Sequence, residues 1–289
     1  MKINNMNILI GSDPELFVHD GKGFISGHDL IPGSKEEPYP VRGGAVQVDG
    51  TALEFNTDPA RGAKEFSNTV QKVVEQLDGM IPKRLELVAN PTADFAKKYF
   101  DALPAKAKEL GCDPDFNAYT GMKNNPPNAN VHFRTGAGHI HVGWTDIKDP
   151  HDPLHMDECR SIVQMLDIYL GVPSMYLDDD NKRRHLYGMA GAFRPKTYGV
   201  EYRVLSNFWV MDPNIRMWVY NNTIAGLKRL LNKRNPVNRN ARHARAAINE
   251  DSYFWADHVI REWNVPMPIF AGVDFNDMDA RHDFINGRK

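Results

Sequence analysis

Cysteine is scarce in this chain: Cys112 and Cys159 are the two thiols among 289 residues. Two thiols imply no disulfide framework, and a reducing cytoplasm is the expected setting. Neither has an evident activating neighbour in sequence, so neither is assigned chemistry. Long apolar runs are missing as well. No stretch approaches the ~20 residues of a membrane span, and no membrane partner is expected. Residues 1–6 lack the apolar run and cleavage site of a signal peptide. A Gly-x-x-x-x-Gly-Lys-[Ser/Thr] loop is absent, which argues against a P-loop enzyme. Charge of one sign is not in excess: the net value is −2, giving no global reason to expect nucleic acid. There is no internal repeat and no low-complexity tract.

What is present fits a globular chain, with 42% hydrophobic and 25% charged residues. The length suits one large domain, or one domain with an appendage. We read residues 1–289 as one domain, with a core at about 8–235 and a helical C-terminal part at about 236–289.

The stretch Gly11-Ser12-Asp13-Pro14-Glu15-Leu16-Phe17-Val18 organises the rest. On a strand, Asp13, Glu15 and Phe17 share one face and Leu16 and Val18 the other. The two carboxylates then lie roughly 6.6 Å apart, two strand rises. At an effective dielectric of about 20 they repel by roughly 2.5 kcal/mol. Solvation, protonation or a cation must relieve that repulsion. Three later stretches repeat the pattern: Leu53-Glu54-Phe55, His139-Ile140-His141-Val142, and Val200-Glu201-Tyr202-Arg203. Each reads as a short strand with one apolar and one ionisable face. In one antiparallel sheet, the open face would collect Asp13, Glu15, Glu54, Glu201, His139, His141 and Arg203. Four carboxylates and two imidazoles there suit divalent cations with mostly oxygen ligands, such as Mg²⁺ or Mn²⁺.

These stretches carry a family resemblance. Residues 11–17 resemble the first active-site strand of glutamine synthetases, Gly-x-Glu-Pro-Glu followed by two hydrophobes. Gly136-Ala137-Gly138-His139-Ile140-His141 resembles their Gly-Ser-Gly-Met-His-x-His strand, without the methionine before the first His. Glu201-Tyr202-Arg203 resembles their Glu-x-Arg strand, and residues 49–54 stand where another metal-ligand strand does. Order and spacing also resemble the glutamate–cysteine ligase kind of carboxylate–amine ligase. The nearest likeness is to the phage-encoded COOH–NH2 ligase group, which shares Asp-Pro-Glu-Leu-Phe and Asp-Gly-x-Ala-Leu-Glu-Phe-Asn. The likeness spans residues 11 to about 210.

The resemblance implies an α+β, glutamine-synthetase-like catalytic fold: a curved, mostly antiparallel sheet with helices on its back. It implies an ATP-dependent ligase that joins an acid to an amine through an acyl phosphate, with Mg²⁺ or Mn²⁺. Carried over by motif, Asp13, Glu15, Glu54, His139 and Glu201 are metal ligands. His141 meets an ATP phosphate. Arg203 meets the γ-phosphate or a substrate carboxylate, for which its planar fork is suited. Arg183, Arg184 and Arg194 are further phosphate or substrate contacts, and Asp49 is a supporting group or the base for the amine. The partners are small-molecule or peptide acids and amines; their identity and the oligomeric state stay open.

Alternatives come from other classes. One is a phosphotransferase on the same scaffold, in the manner of a guanidine kinase. Another is a metal-dependent hydrolase or oxygenase using His-x-His with a distant Glu. A third is a phage structural or interaction protein without activity.

Around the motifs, Asp20-Gly21-Lys22-Gly23 reads as a hairpin turn and residues 31–44 as a loop. A strand covers 45–56, with Asp49-Gly50 as a turn or bulge inside it. Helical spacing marks 63–81, 156–170, 213–231 and 239–263, and a Pro104-broken helix covers 94–110. One strand is expected at 85–88 and another over 131–144, the latter adding His132 and Arg134 as secondary candidates. Residues 111–130 read as a lid or substrate loop, and residues from 266 onward as loop. His151 and His155 read as parts of a solvated loop. The basic stretch 228–245 reads as a solvated surface or an anion-binding one.

Overall fold

A computed structural model of the chain describes residues 7–108, 115–124, 132–178, 180–232 and 237–287, the backbone alone at 237–240. Alternation from Leu9 onward produces the central strand β1 (Leu9–His19). Asp20 then turns the chain by accepting from the N–H groups of Lys22 and Gly23, and β2 (Phe24–Ile25) returns along β1. β3 (Tyr39–Val41), β4 (Gly44–Asp49) and β5 (Ala52–Thr57) form a meander. Asp49 pairs with Ala52, so Gly50-Thr51 is a two-residue turn and not a bulge; Gly50 takes φ +59° there.

Next come α1 (Ala63–Asp78), β6 (Glu86–Val88), β7 (Thr92–Asp94), α2 (Lys97–Ala102), α3 (Ala105–Lys108) and β8 (Phe116–Asn117). β9 (Phe133–Thr135) and β10 (Gly138–Gly143) lead into α4 (Pro153–Leu166), α5 (Val172–Leu177) and α6 (Asn181–Leu186). β11 (Ala192–Lys196) and β12 (Gly199–Tyr202) precede α7 (Pro213–Leu231), α8 (Val237–Asn249) and α9 (Tyr253–Trp263). β13 (Ile269–Phe270), β14 (Val273–Asp274) and α10 (Met278–Asn286) finish the chain.

The main sheet runs β3-β4-β5-β1-β10-β12-β11-β8, with β2 and β6 also paired to β1. Every pairing among the described residues is antiparallel, and the fold is α+β. On one face, Leu16 sits opposite Leu53, Ile140 opposite Tyr202 and Val142 opposite Val200, all buried. Helices cover that face. α1 contributes Phe66, Val70, Val73, Val74 and Leu77, the periodic positions read from sequence. Phe66 stacks on Trp209 and tilts against Tyr220 of α7. Asp212 caps α7 by accepting from Asn214 and Ile215 N–H, with Pro213 as its first residue. Among the described residues, no helix is long and apolar enough to cross a membrane.

Several expected elements divide. The strand expected over 131–144 is β9 and β10; β9 leaves the main sheet to pair with β7. The helix expected over 156–170 starts at Pro153 and continues through a π turn, Asp167–Gly171, into α5. Buried Asp167 accepts hydrogen bonds from Tyr119 and Tyr202 there, and burial raises its pKa to about 7. The helix expected over 239–263 is α8 and α9, parted where Asp251 takes φ +49° and Ser252 caps Trp255. The segment after 266 is not loop: Phe270, Phe275 and Phe284 cluster, and Arg281 donates to the Phe275 carbonyl. Half of the expected 111–130 loop, with Cys112, lies outside the described residues; its described part holds β8, paired to β11.

Candidate active site

Strand register assembles the polar face. Asp13 lies opposite His139, Glu15 opposite Glu54, and Glu201 opposite both His141 and Arg194. Residues directly opposite in a ladder point to the same side, so five strands deliver these groups together. The approach is tight at the start of β10. A Cβ on Gly138 would stand 2.1 Å from the Ser206 carbonyl oxygen and 2.5 Å from Trp209 Nε1. Both obstacles are held in place, since Trp209 Nε1 donates to the Gly138 carbonyl at 3.1 Å. Gly138→Ala is therefore expected to lower stability by about 1–3 kcal/mol through overpacking. Urea unfolding of the two proteins checks it; equal midpoints would refute the tight packing.

Two groups of potential ligand atoms lie on this face. In the first, Asp13, His141 and Glu201 each offer an atom within 4.8 Å of the others. Asp13 Oδ1 is 2.9 Å from His141 Nε2 and 3.3 Å from His139 Nδ1, which in turn is 3.5 Å from Glu201 Oε1. The Tyr198 hydroxyl meets His141 Nδ1 at 2.5 Å, with the two rings stacked. Burial alone would raise the Asp13 carboxyl, but His141 and then His139 hold it well below its ordinary value. His141 is the counterpart: burial lowers it, and Asp13 with Glu201 more than restores it, leaving a raised pKa. Burial, helped by Arg203, pushes His139 down to about 4, so its ring is neutral at pH 7 and able to ligate.

The second group is Glu15, Asp49 and Glu54, again within 4.8 Å. Burial and then Asp49 push the Glu15 carboxyl up to about 7, although its Oε2 accepts from Ala137 N–H at 2.9 Å. Glu54 is raised well above its ordinary value by burial and by Asp13, Glu15 and Asp49. Burial also raises Asp49. Three crowded acids whose pKa values are raised are what a site for a divalent ion looks like with only protein atoms in it.

A cationic rim borders the first group. Fully buried Glu201 is ion-paired with Arg203, lies 2.7 Å from Lys196 Nζ and 3.5 Å from Arg194 Nη1. Burial and Asp13 would raise Glu201, yet Arg203, His139 and His141 hold it far below its ordinary value. Arg203 Nε also pairs with Asp115 at 3.3 Å. Buried Arg183 donates to the carbonyls of Val204 and Arg203.

The face thus brings together Asp13, Glu15, Asp49, Glu54, His139, His141, Arg194, Glu201 and Arg203. It differs from the expected single cluster in dividing the acids into two trios, with Asp49 inside one of them and His141 inside the other. Arg184 goes elsewhere. It donates to the Asp178 carbonyl at 3.1 Å and pairs with Asp251 at 3.3 Å, tying α6 to the α8–α9 turn. The secondary candidates also leave the site. Arg134 lies over the Phe100 ring and donates to the Lys108 carbonyl, and His132 pairs with Asp101. His155 is buried in the first turn of α4, with Nε2 3.0 Å from the Lys196 carbonyl oxygen, not in a solvated loop. Lys196, Tyr198 and Asp115 were not singled out from sequence. Lys196 had one available signal: it continues the alternation begun by Arg194.

No curated protein matches the chain. A family model does, over residues 126–247, described as phage phiEco32-like COOH.NH2 ligase type 2. That segment contributes His139, His141, Arg194, Lys196, Glu201 and Arg203 to the face just described. Over residues 126–247 the chain is accordingly similar to the phage phiEco32-like COOH–NH2 ligase family, whose name is that of a carboxylate–amine ligase.

Proposed function

We propose that the chain is one ATP-dependent ligase domain of glutamine-synthetase-like design, working in a cytoplasm through an acyl phosphate, with Mg²⁺ or Mn²⁺. The observation that carries this reading is the pair of ligand trios side by side on one sheet face, bordered by Arg203, Lys196 and Arg194. The donor set is mostly carboxylate oxygen, which fits hard divalent cations. Glu15 and Glu54, with Asp49 beside them, would hold one, and Asp13 and Glu201, with His139, another. Such ions supply charge neutralisation on phosphoryl oxygens.

In this reading a substrate carboxylate oxygen attacks the γ-phosphorus of ATP, and the bond to the ADP oxygen breaks. The amine nitrogen then attacks the acyl carbon, phosphate leaves, and the nitrogen gives up a proton. Asp49, at the β4–β5 turn beside the site, takes that proton. His141 and Arg194 bind nucleotide phosphate. Arg203 faces the phosphoryl group in flight; its pairs with Glu201 and Asp115 hold the guanidinium in one orientation. No protein nucleophile is needed, only in-line substrates and neutralised charge.

The deciding experiment measures ADP release. A ligase releases ADP in quantity only with acid and amine together, a kinase with one acceptor, a hydrolase or inert protein not at all. Arg203→Lys keeps the charge and loses the fork. It should slow turnover by about tenfold or more, which is about 1.4 kcal/mol in the barrier. Nucleotide affinity should change much less. If affinity collapses at unchanged saturated turnover, Arg203 is a ground-state binder; if neither moves, the pair with Glu201 is a plain salt bridge.

A further inference from the structure

A third group of metal-type side chains lies far from the sheet in sequence, on the helical hairpin of α8 and α9. His243 on α8 and His258 and Glu262 on α9 each offer a ligand atom within 4.8 Å of the others. We infer that His243, His258 and Glu262 form a binding site for a divalent transition-metal ion of the zinc class, joining α8 to α9.

Spacing comes first. His258 and Glu262 are four residues apart, so one helical turn stacks them on a single face, and His258 Nε2 lies 3.2 Å from Glu262 Oε2. Across the hairpin, His243 is fixed by stacking. Its ring lies parallel to Trp255, with centroids 4.3 Å apart and planes 9° apart. It meets the His258 ring edge to face at 4.9 Å. A ligand whose rotamer is already locked loses little entropy on binding.

The second observation is an orphaned donor or acceptor. His243 Nδ1 is buried and has no hydrogen-bond partner among the described residues. A buried ring nitrogen without a partner is costly, and a metal or its bound water removes that cost. His258 and Glu262 keep 40% and 39% of their side chains exposed, so an ion can enter from solvent. Two imidazoles and one carboxylate favour zinc-class ions, whereas the oxygen-rich sheet face favours magnesium. Three protein ligands leave a fourth position for water.

The test uses Zn²⁺ alone as the probe, on the full chain stripped with chelator and then held in excess Mg²⁺. Calorimetric titration of the parent should show binding that His258→Gln and Glu262→Gln each weaken by at least about tenfold. Loss of a mere partner of a ligand already costs about 10–100-fold. Both substitutions are at the surface, and their chelated melting temperatures should equal the parent's. Ni²⁺, which quenches nearby indoles, should dim the parent's fluorescence; Trp255→Phe should lack most of that change. ADP release in Mg²⁺ should be the same in parent and His258→Gln, which separates this site from the ligase reading. If both variants titrate with Zn²⁺ like the parent, the inference is overturned: the His258–Glu262 contact is then an ordinary helical ion pair.

Discussion

Glu201→Gln is expected to destabilise the metal-free protein by about 3–5 kcal/mol, the usual result of removing one partner from a buried ion pair. Glu201 has no exposed surface, and its carboxylate faces Arg203, Lys196, Arg194 and His139 at once. Gln keeps the volume and one acceptor oxygen. It leaves Arg203, Lys196 and Arg194 crowded together without the carboxylate they share. The sign with pH follows from the depressed pKa. A carboxyl held below its ordinary 4.5 adds stability above that value and loses it as pH falls toward the folded value. The difference between parent and variant should therefore be full at pH 7 and shrink only in strong acid. Urea unfolding in chelator at pH 7 measures it. A variant as stable as the parent would mean that water already solvates the rim. Turnover should vanish as well, because the same carboxylate is the anchor of both Arg203 and the first ligand trio.

Much of this face was legible because a half-buried antiparallel strand writes its geometry into alternation. Asp13 and Glu15, His139 and His141, and Glu201 each alternate with buried apolar neighbours, and the ladder does place them on one side. The rest depends on contacts that local pattern does not encode. β11 contains Pro195, which speaks against a strand in sequence and so hides the alternation from Arg194 to Lys196, and Tyr198 lies beyond that strand's end. Asp115 meets Arg203 across 88 residues, out of a stretch that reads as irregular. Arg183 and Arg184 show the opposite error. Adjacent residues on a helix are turned by about 100°, so at most one of two consecutive arginines faces a given site. Arg183 turns toward Arg203 and Val204, and Arg184 toward Asp251. The division of the acids into two trios has the same origin. Sequence shows that carboxylates share a face, but register decides which of them touch. The β4–β5 turn carries Asp49 beside Glu54, while the β10–β12 ladder carries His141 beside Glu201.

The two trios respond to charge in opposite senses, and Glu15→Gln isolates the second. Glu15 is partly buried among acids, and no cation ion-pairs with it among the described residues. Burial, with Asp49, raises its pKa from 4.5 to about 7. A folded carboxyl that holds its proton more tightly than the unfolded one favours folding below pH 4.5. That contribution is lost as pH rises through about 7. Gln has no proton to lose and keeps an oxygen for the Ala137 N–H. At pH 8 without divalent ions, the variant should therefore exceed the parent in stability by up to about 3 kcal/mol, at 1.36 kcal/mol per pKa unit. At pH 4 the two should melt together. Adding Mg²⁺ at pH 8 should raise the parent's melting temperature by more than the variant's, because in the second trio a cation neutralises the acids that Gln has already relieved. Turnover of the variant should fall severely despite its greater stability. Melting curves at pH 4 and pH 8, with chelator or with Mg²⁺, decide the matter. A variant less stable than the parent at pH 8 would make Glu15 a structural carboxylate, and an Mg²⁺ response equal in both proteins would remove it from the metal site.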